Sequence, residues 1–132
     1  VSEGRAMARV FDHIDLRVQS LAAVKPFYDA FLHAYGFRPM ANADPGCFLY
    51  VRVAERSFEC VAITEDPEQR ANKTRIAFGA NSPEDVDRLA QIATKAGAQA
   101  GEGPMPCPEY WPTYYAFFFE DPEGNRLEIC YR

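Results

Sequence analysis

Histidine is scarce in this chain: two among 132 residues, His13 and His33. That excludes a site walled by several imidazoles. Four cysteines are present but none falls in a Cys-x-x-Cys pair, and neither histidine is spaced to join them, so a structural zinc is not expected. Cys47, Cys60, Cys107 and Cys130 read as free thiols of a cytoplasmic protein. Basic residues are in the minority: the net charge is -5, which argues against nucleic acid or an anionic membrane surface as partner. No apolar run is long enough to span a bilayer, and no basic-then-apolar leader opens the sequence.

What is present is the composition of an ordinary globular domain, somewhat rich in aromatics, and long enough to bury a core without staples. Residues 1–8 lack periodicity and are expected to be flexible. From Arg9 to Val18 the chain alternates, with Ile14, Leu16 and Val18 on one face and His13, Asp15 and Arg17 on the other. Gln19-Ser20 starts a helix whose apolar stripe is Leu21, Val24, Phe27, Tyr28, Phe31, Leu32 and Tyr35, and Gly36 stops it. His33 lies off that stripe. A short strand over Phe37–Ala41 precedes strands at Cys47–Val53 and Ser57–Ile63.

After a polar linker the order restarts. Lys73–Ala80 reads as a strand, and Asn81-Ser82-Pro83-Glu84-Asp85 caps a helix with Val86, Leu89, Ile92 and Ala93 inward. Gly97 ends that helix, Ala98–Gly101 is a short strand, and Gly103–Pro112 is a proline-rich loop. The chain closes on a hairpin, Tyr114 to Tyr131, turned by Asp-Pro-Glu-Gly-Asn. One domain, residues 1–132, is therefore expected to hold two β-α-β-β-β modules, at about 9–65 and 73–132. Aligning Phe58–Val61 with Leu127–Cys130 sets Glu59 beside Glu128, and aligning Asp12–Leu16 with Thr74–Phe78 sets His13 beside Arg75. If each helix covers one sheet face, these four line the other. The expected fold is α+β: a cup-shaped, eight-stranded mixed sheet with a pseudo-twofold.

Asp-His-Ile-Asp-Leu-Arg-Val, Phe-Tyr…Leu…Gly-Phe and Tyr-Tyr-Ala-Phe-Phe-Phe-Glu-Asp-Pro-Glu-Gly-Asn-Arg-Leu-Glu-Ile occur in that order. Together they resemble the vicinal oxygen chelate superfamily, which includes glyoxalase I, extradiol dioxygenases and the bleomycin and fosfomycin resistance proteins. The resemblance implies metal ligands on the first and last strands of each half, here His13, Glu59, Arg75 and Glu128. Three are ligand types; Arg75 stands where histidine is usual, and a cationic guanidinium cannot ligate. The resemblance therefore leaves two arrangements open. In one, His13, Glu59 and Glu128 hold Zn, Mn, Ni or Mg, and Glu128 is also the proton-transfer base. In the other, Arg75 replaces the ion. An extradiol dioxygenase, needing two histidines, is disfavoured.

Arg17, Arg75 and Arg126 share the cup faces and, with Tyr114 and Tyr115 at the entrance, are the candidate substrate-binding residues. The implied function is a glyoxalase-like lyase, isomerase or related transferase acting by proton transfer on a small oxygen-rich substrate. The alternative is a non-catalytic protein that sequesters an antibiotic-like ligand. A homodimer is expected, with the modules pairing within one chain or across two.

Overall fold

The computed structural model describes residues 10–132; the expectation for residues 1–8, and the strand start at Arg9, lie outside the described residues. The first module runs β1 (His13–Val18), α1 (Leu21–Ala34), β2 (Arg38–Met40), β3 (Cys47–Ala54) and β4 (Ser57–Glu65). The second repeats it with β5 (Arg75–Gly79), α2 (Pro83–Ala96), β6 (Gln99–Pro106), β7 (Tyr115–Glu120) and β8 (Arg126–Tyr131). The sheets are ordered β1-β4-β3-β2 and β5-β8-β7-β6. In each, the opening strand lies parallel to the closing strand and the rest is antiparallel. Among the described residues no helix is long and apolar enough to cross a membrane.

Both helices start where the sequence places hydroxyl caps. Ser20 Oγ accepts from the Ala23 amide and Ser82 Oγ from the Asp85 amide, satisfying donors that a helix end leaves open. Acidic side chains reinforce the start of α1: Glu123 accepts from the Gln19 and Ser20 amides at 2.6 and 2.9 Å, and Glu65 accepts from Leu21 at 2.9 Å. Gly97 closes α2 with φ of 119°, a conformation open to glycine.

The eight strands form two four-stranded sheets, one from each module, as the two-module reading expects. Helix α1 packs across both modules. Phe31 meets Phe78 of β5 edge-on at 5.2 Å and Phe119 of β7 at 5.6 Å, while Phe27 stacks on Phe31 at 5.5 Å. Helices α1 and α2 also touch one another, so a single core joins the helix-facing sides of both sheets. Each fully buried phenylalanine among these contributes about 1.5–3 kcal/mol by burial.

At the β7–β8 turn, Asp121 is fully buried and accepts four hydrogen bonds: Tyr28 Oη at 2.6 Å, the Glu123 and Asn125 amides at 2.8 and 3.0 Å, and Asn125 Nδ2 at 2.9 Å. This carboxylate ties α1 to the terminal hairpin. Strand β6 extends well beyond the expected Ala98–Gly101, because the glycine- and proline-rich stretch still pairs with β7, with two register shifts.

Candidate functional site

In a strand, side chains alternate between faces, and residues paired across a ladder point the same way. One face of each sheet packs on the helices; the other is the open face. On the open face of the first sheet, the register sets His13, Cys60, Val51 and Arg38 in one row. The next row is Asp15, Ala62, Leu49 and Met40, and the third is Arg17, Thr64 and Cys47. On the open face of the second sheet, Arg75, Arg126, Glu120 and Gln99 form one row. Ala77, Glu128, Phe118 and Glu102 form the next, then Gly79, Cys130, Ala116 and Met105.

These rows relocate one expected residue decisively. Glu59 alternates with Val61 and Ile63, which are core, so it lies on the helix side, where Arg52 Nη1 meets it at 2.5 Å. Its expected partnership with Glu128 placed the two strands out of step. Setting His13 against Arg75 puts Cys60 opposite Arg126 and Ala62 opposite Glu128. The frame slips by three residues, and an odd slip exchanges the faces. Tyr115 is likewise on the helix side, its hydroxyl donating to Asp87 of α2 at 2.7 Å. It does not flank Glu128.

The remaining candidates fall on the open faces. The His13 side chain is 60% exposed and pairs with Asp12 at 2.8 Å. Arg17 pairs with Asp15 at 3.0 Å, and Asp15 also accepts from Thr64 Oγ1 at 2.7 Å. Arg75 places its guanidinium 4.9 Å from the centre of the Phe118 ring. Arg126 is half-buried.

Glu128 differs from all of these. It is 7% exposed, and Tyr114, itself 6% exposed, donates its hydroxyl to Glu128 Oε2 in a short hydrogen bond. Tyr114 sits in a small cluster with Cys107, Ala116, Phe118 and Cys130. Burial, with Cys130 and the Glu128 carboxylate close by, holds its phenol well above the usual value, so it stays a donor at neutral pH. Arg132 lies 4.8 Å over the Tyr114 ring, and Tyr110 meets that ring edge-on at 5.4 Å. Sequence spacing gave no sign of the Tyr114–Glu128 pair; the nearest signal was an acidic residue set in an apolar strand.

A cleft of about 820 Å³ runs between the modules, lined by β1 and β5, one edge strand of each sheet. His13, Glu59 and Arg75 all line it, whereas Glu128 does not. Among the described residues no three His, Cys, Asp or Glu side chains converge in a way that holds a metal ion. The donor set explains why. Glu59 is engaged by Arg52, one oxygen of Glu128 by Tyr114, and the positions matching Glu128 and His13 in the other halves are Ala62 and Arg75. The described residues of one chain therefore offer no convergent set of donors for a divalent ion.

The sequence profile of the Glyoxalase/Bleomycin resistance protein/Dioxygenase superfamily matches residues 10–129, and the chain belongs to that superfamily. Its members include enzymes and resistance proteins; they bind small molecules, often with divalent metals, and often form dimers. Among solved structures, a glyoxalase/bleomycin resistance protein from Albidiferax ferrireducens T118 is 26% identical, with a TM-score of 0.73 over 92% of this chain and 98% of that one. A family enzyme from Burkholderia phytofirmans PsJN is 20% identical, TM-score 0.70, over 91% and 96%. A genomically encoded fosfomycin resistance protein from Listeria monocytogenes is 17% identical, TM-score 0.61, over 96% and 93%. No curated protein matches the chain at a significant level.

Proposed function

We propose that this protein binds a small, oxygen-rich organic molecule on the open face of its second sheet and transfers a proton there with Glu128 as base. The observation that carries this reading is the buried Glu128 carboxylate, held through one oxygen by Tyr114 while the other is left free of hydrogen bonds from described residues. A desolvated, oriented carboxylate is suited to taking a proton from carbon beside a carbonyl. The C–H bond breaks, the proton moves to Glu128 Oε1, and the electron pair shifts onto the carbonyl oxygen. Return of the proton to a neighbouring carbon or to the opposite face gives an isomerase; loss of a leaving group gives a lyase. No step is routed through a metal.

The working unit in this reading is a homodimer. Both open faces point away from the shared core, and the contact between α1 and α2 keeps them from closing on each other within one chain. A second copy supplies the His13–Asp15 face that covers the Glu128 face of the first. Four free cysteines fit a reducing, cytoplasmic setting.

The test is deuterium exchange in heavy water across a panel of small 2-oxo acids, 2-hydroxy acids and thiol conjugates. Exchange beside the carbonyl is expected, lowered about 10²–10⁴-fold in Glu128→Gln. A second reading, sequestration, draws on the exposed Tyr110 and Trp111 beside Tyr114. It is the one supported if a panel member binds stoichiometrically and returns unchanged and unexchanged.

A further inference from the structure

We infer that Arg75 and Arg126 form a two-guanidinium clamp for a carboxylate or phosphonate group of the ligand. The inference rests on the small-molecule reading above and narrows its ligand class.

Arg75 and Arg126 are direct register partners on adjacent parallel strands and point to the same face. Like charges placed side by side in a ladder repel, and sheets ordinarily offset this with a carboxylate. Two carboxylates are near in the ladder: Glu120 opposite Arg126, and Glu128 two residues along β8. Neither closes an ion pair. The ion pairs of the described arginines belong to Arg17, Arg52 and Arg88. Arg126 is half-buried yet makes no hydrogen bond to a described residue, so its five donors have no acceptor among the described residues. Glu128 is turned to Tyr114 instead.

The surroundings suit a bound oxyanion. Phe118 lies under the Arg75 guanidinium, fixing its plane while leaving its N–H edge available. The side chains that follow Arg75 on this face are Ala77 and Gly79. A methyl group added at Gly79 would meet nothing within 4 Å, so the space beside the pair is open. The inter-module cleft reaches Arg75, Ala77 and Gly79, giving a small molecule a way in. A planar carboxylate or a tetrahedral phosphonate has acceptors enough to engage both forks. An anion held there lies one row from Glu128, which brings the adjoining carbon toward the free carboxylate oxygen.

Calorimetric titration with malonate, methylphosphonate and inorganic phosphate tests this, using the full chain and Arg75→Gln, Arg126→Gln and Arg56→Gln. Arg56 lies in the exposed β3–β4 turn and serves as the remote control. At least one probe is expected to bind the parent, with affinity falling as chloride is raised. Each clamp substitution should weaken it about 10- to 100-fold, the loss of a charged hydrogen bond, while Arg56→Gln leaves it unchanged. Preference for malonate or methylphosphonate over phosphate assigns the group. Binding that persists in Arg75→Gln and Arg126→Gln, or no binding by any probe at millimolar concentration, overturns the clamp. Glu128→Gln is expected to keep anion binding while losing proton exchange, so failure of the base and failure of the clamp are told apart.

Discussion

Replacing Asp121 by asparagine changes one atom pair and tests whether the buried carboxylate is what fastens the terminal hairpin to α1. Each carboxylate oxygen accepts two hydrogen bonds. Oδ1 takes the Glu123 and Asn125 amides, and Oδ2 takes the Tyr28 hydroxyl and Asn125 Nδ2. In the amide one of those oxygens becomes an NH₂ group, and whichever way it is turned it faces at least one N–H that cannot accept. A buried donor left unsatisfied costs about 1–3 kcal/mol, so Asp121→Asn should lose about that much. Asp121→Ala strands several donors together and should cost about 3–5 kcal/mol. Tyr28→Phe removes a single donor and should cost about 1 kcal/mol, and the pair should couple in a double-mutant cycle. Urea unfolding at neutral pH reads the parent, the three single variants and the double mutant. An Asp121→Asn protein within about 0.5 kcal/mol of the parent would refute the reasoning, since it would show the donors finding other partners.

Alkaline stability follows from the tyrosines. Burial, first among the causes, raises Tyr28, Tyr35, Tyr50 and Tyr114 above the usual value near 10, with carboxylate neighbours adding to the effect at Tyr28 and Tyr50. The folded chain therefore holds them neutral where the unfolded chain ionises. Stability should be level below pH about 10 and then fall by about 1.4 kcal/mol per pH unit for each such tyrosine. Tyr50→Phe should lower that slope by one tyrosine's share in unfolding curves taken across the range. Tyr35 gives the opposite kind of prediction: its hydroxyl is buried without a hydrogen-bond partner, so Tyr35→Phe should raise stability by about 1 kcal/mol. A loss of the same size in thermal unfolding would point to a water or ligand serving that oxygen.

The order of elements was readable because separate signals agree: period-two runs in β1 and β5, a helical stripe and hydroxyl cap in α1 and α2, and glycine at both helix ends. Face assignment failed where that agreement was missing. From Phe58 to Ile63 almost every residue is apolar or small, so alternation cannot choose which of Glu59, Cys60, Val61 and Ala62 turn inward. The same ambiguity put Tyr115 beside Tyr114, although adjacent residues at a strand start are bound to opposite sides. What joins the two modules was not readable: Phe27 and Phe31 reach Phe119 in the other module, a contact between distant parts of the chain that local periodicity does not record. The extent of β6 was hidden by Gly103, whose φ of 97° reads as a turn, although its backbone lies against Ala116 of β7.

The register equivalence of Ala62 with Glu128, and of Asp15 with Ala77, bears on how such a surface changes over generations. Each backbone position occurs twice, yet only one of its two occurrences carries a carboxylate. The halves share a scaffold but not a chemistry, so a substitution in one is not echoed in the other. The inward residues that keep the sheets on their helices are a separate set from the outward rows, alternating with them along every strand. Selection can therefore rewrite an outward row while the inward one stays constant. A duplicated, alternating architecture thus separates the residues that hold the frame from those that meet a ligand.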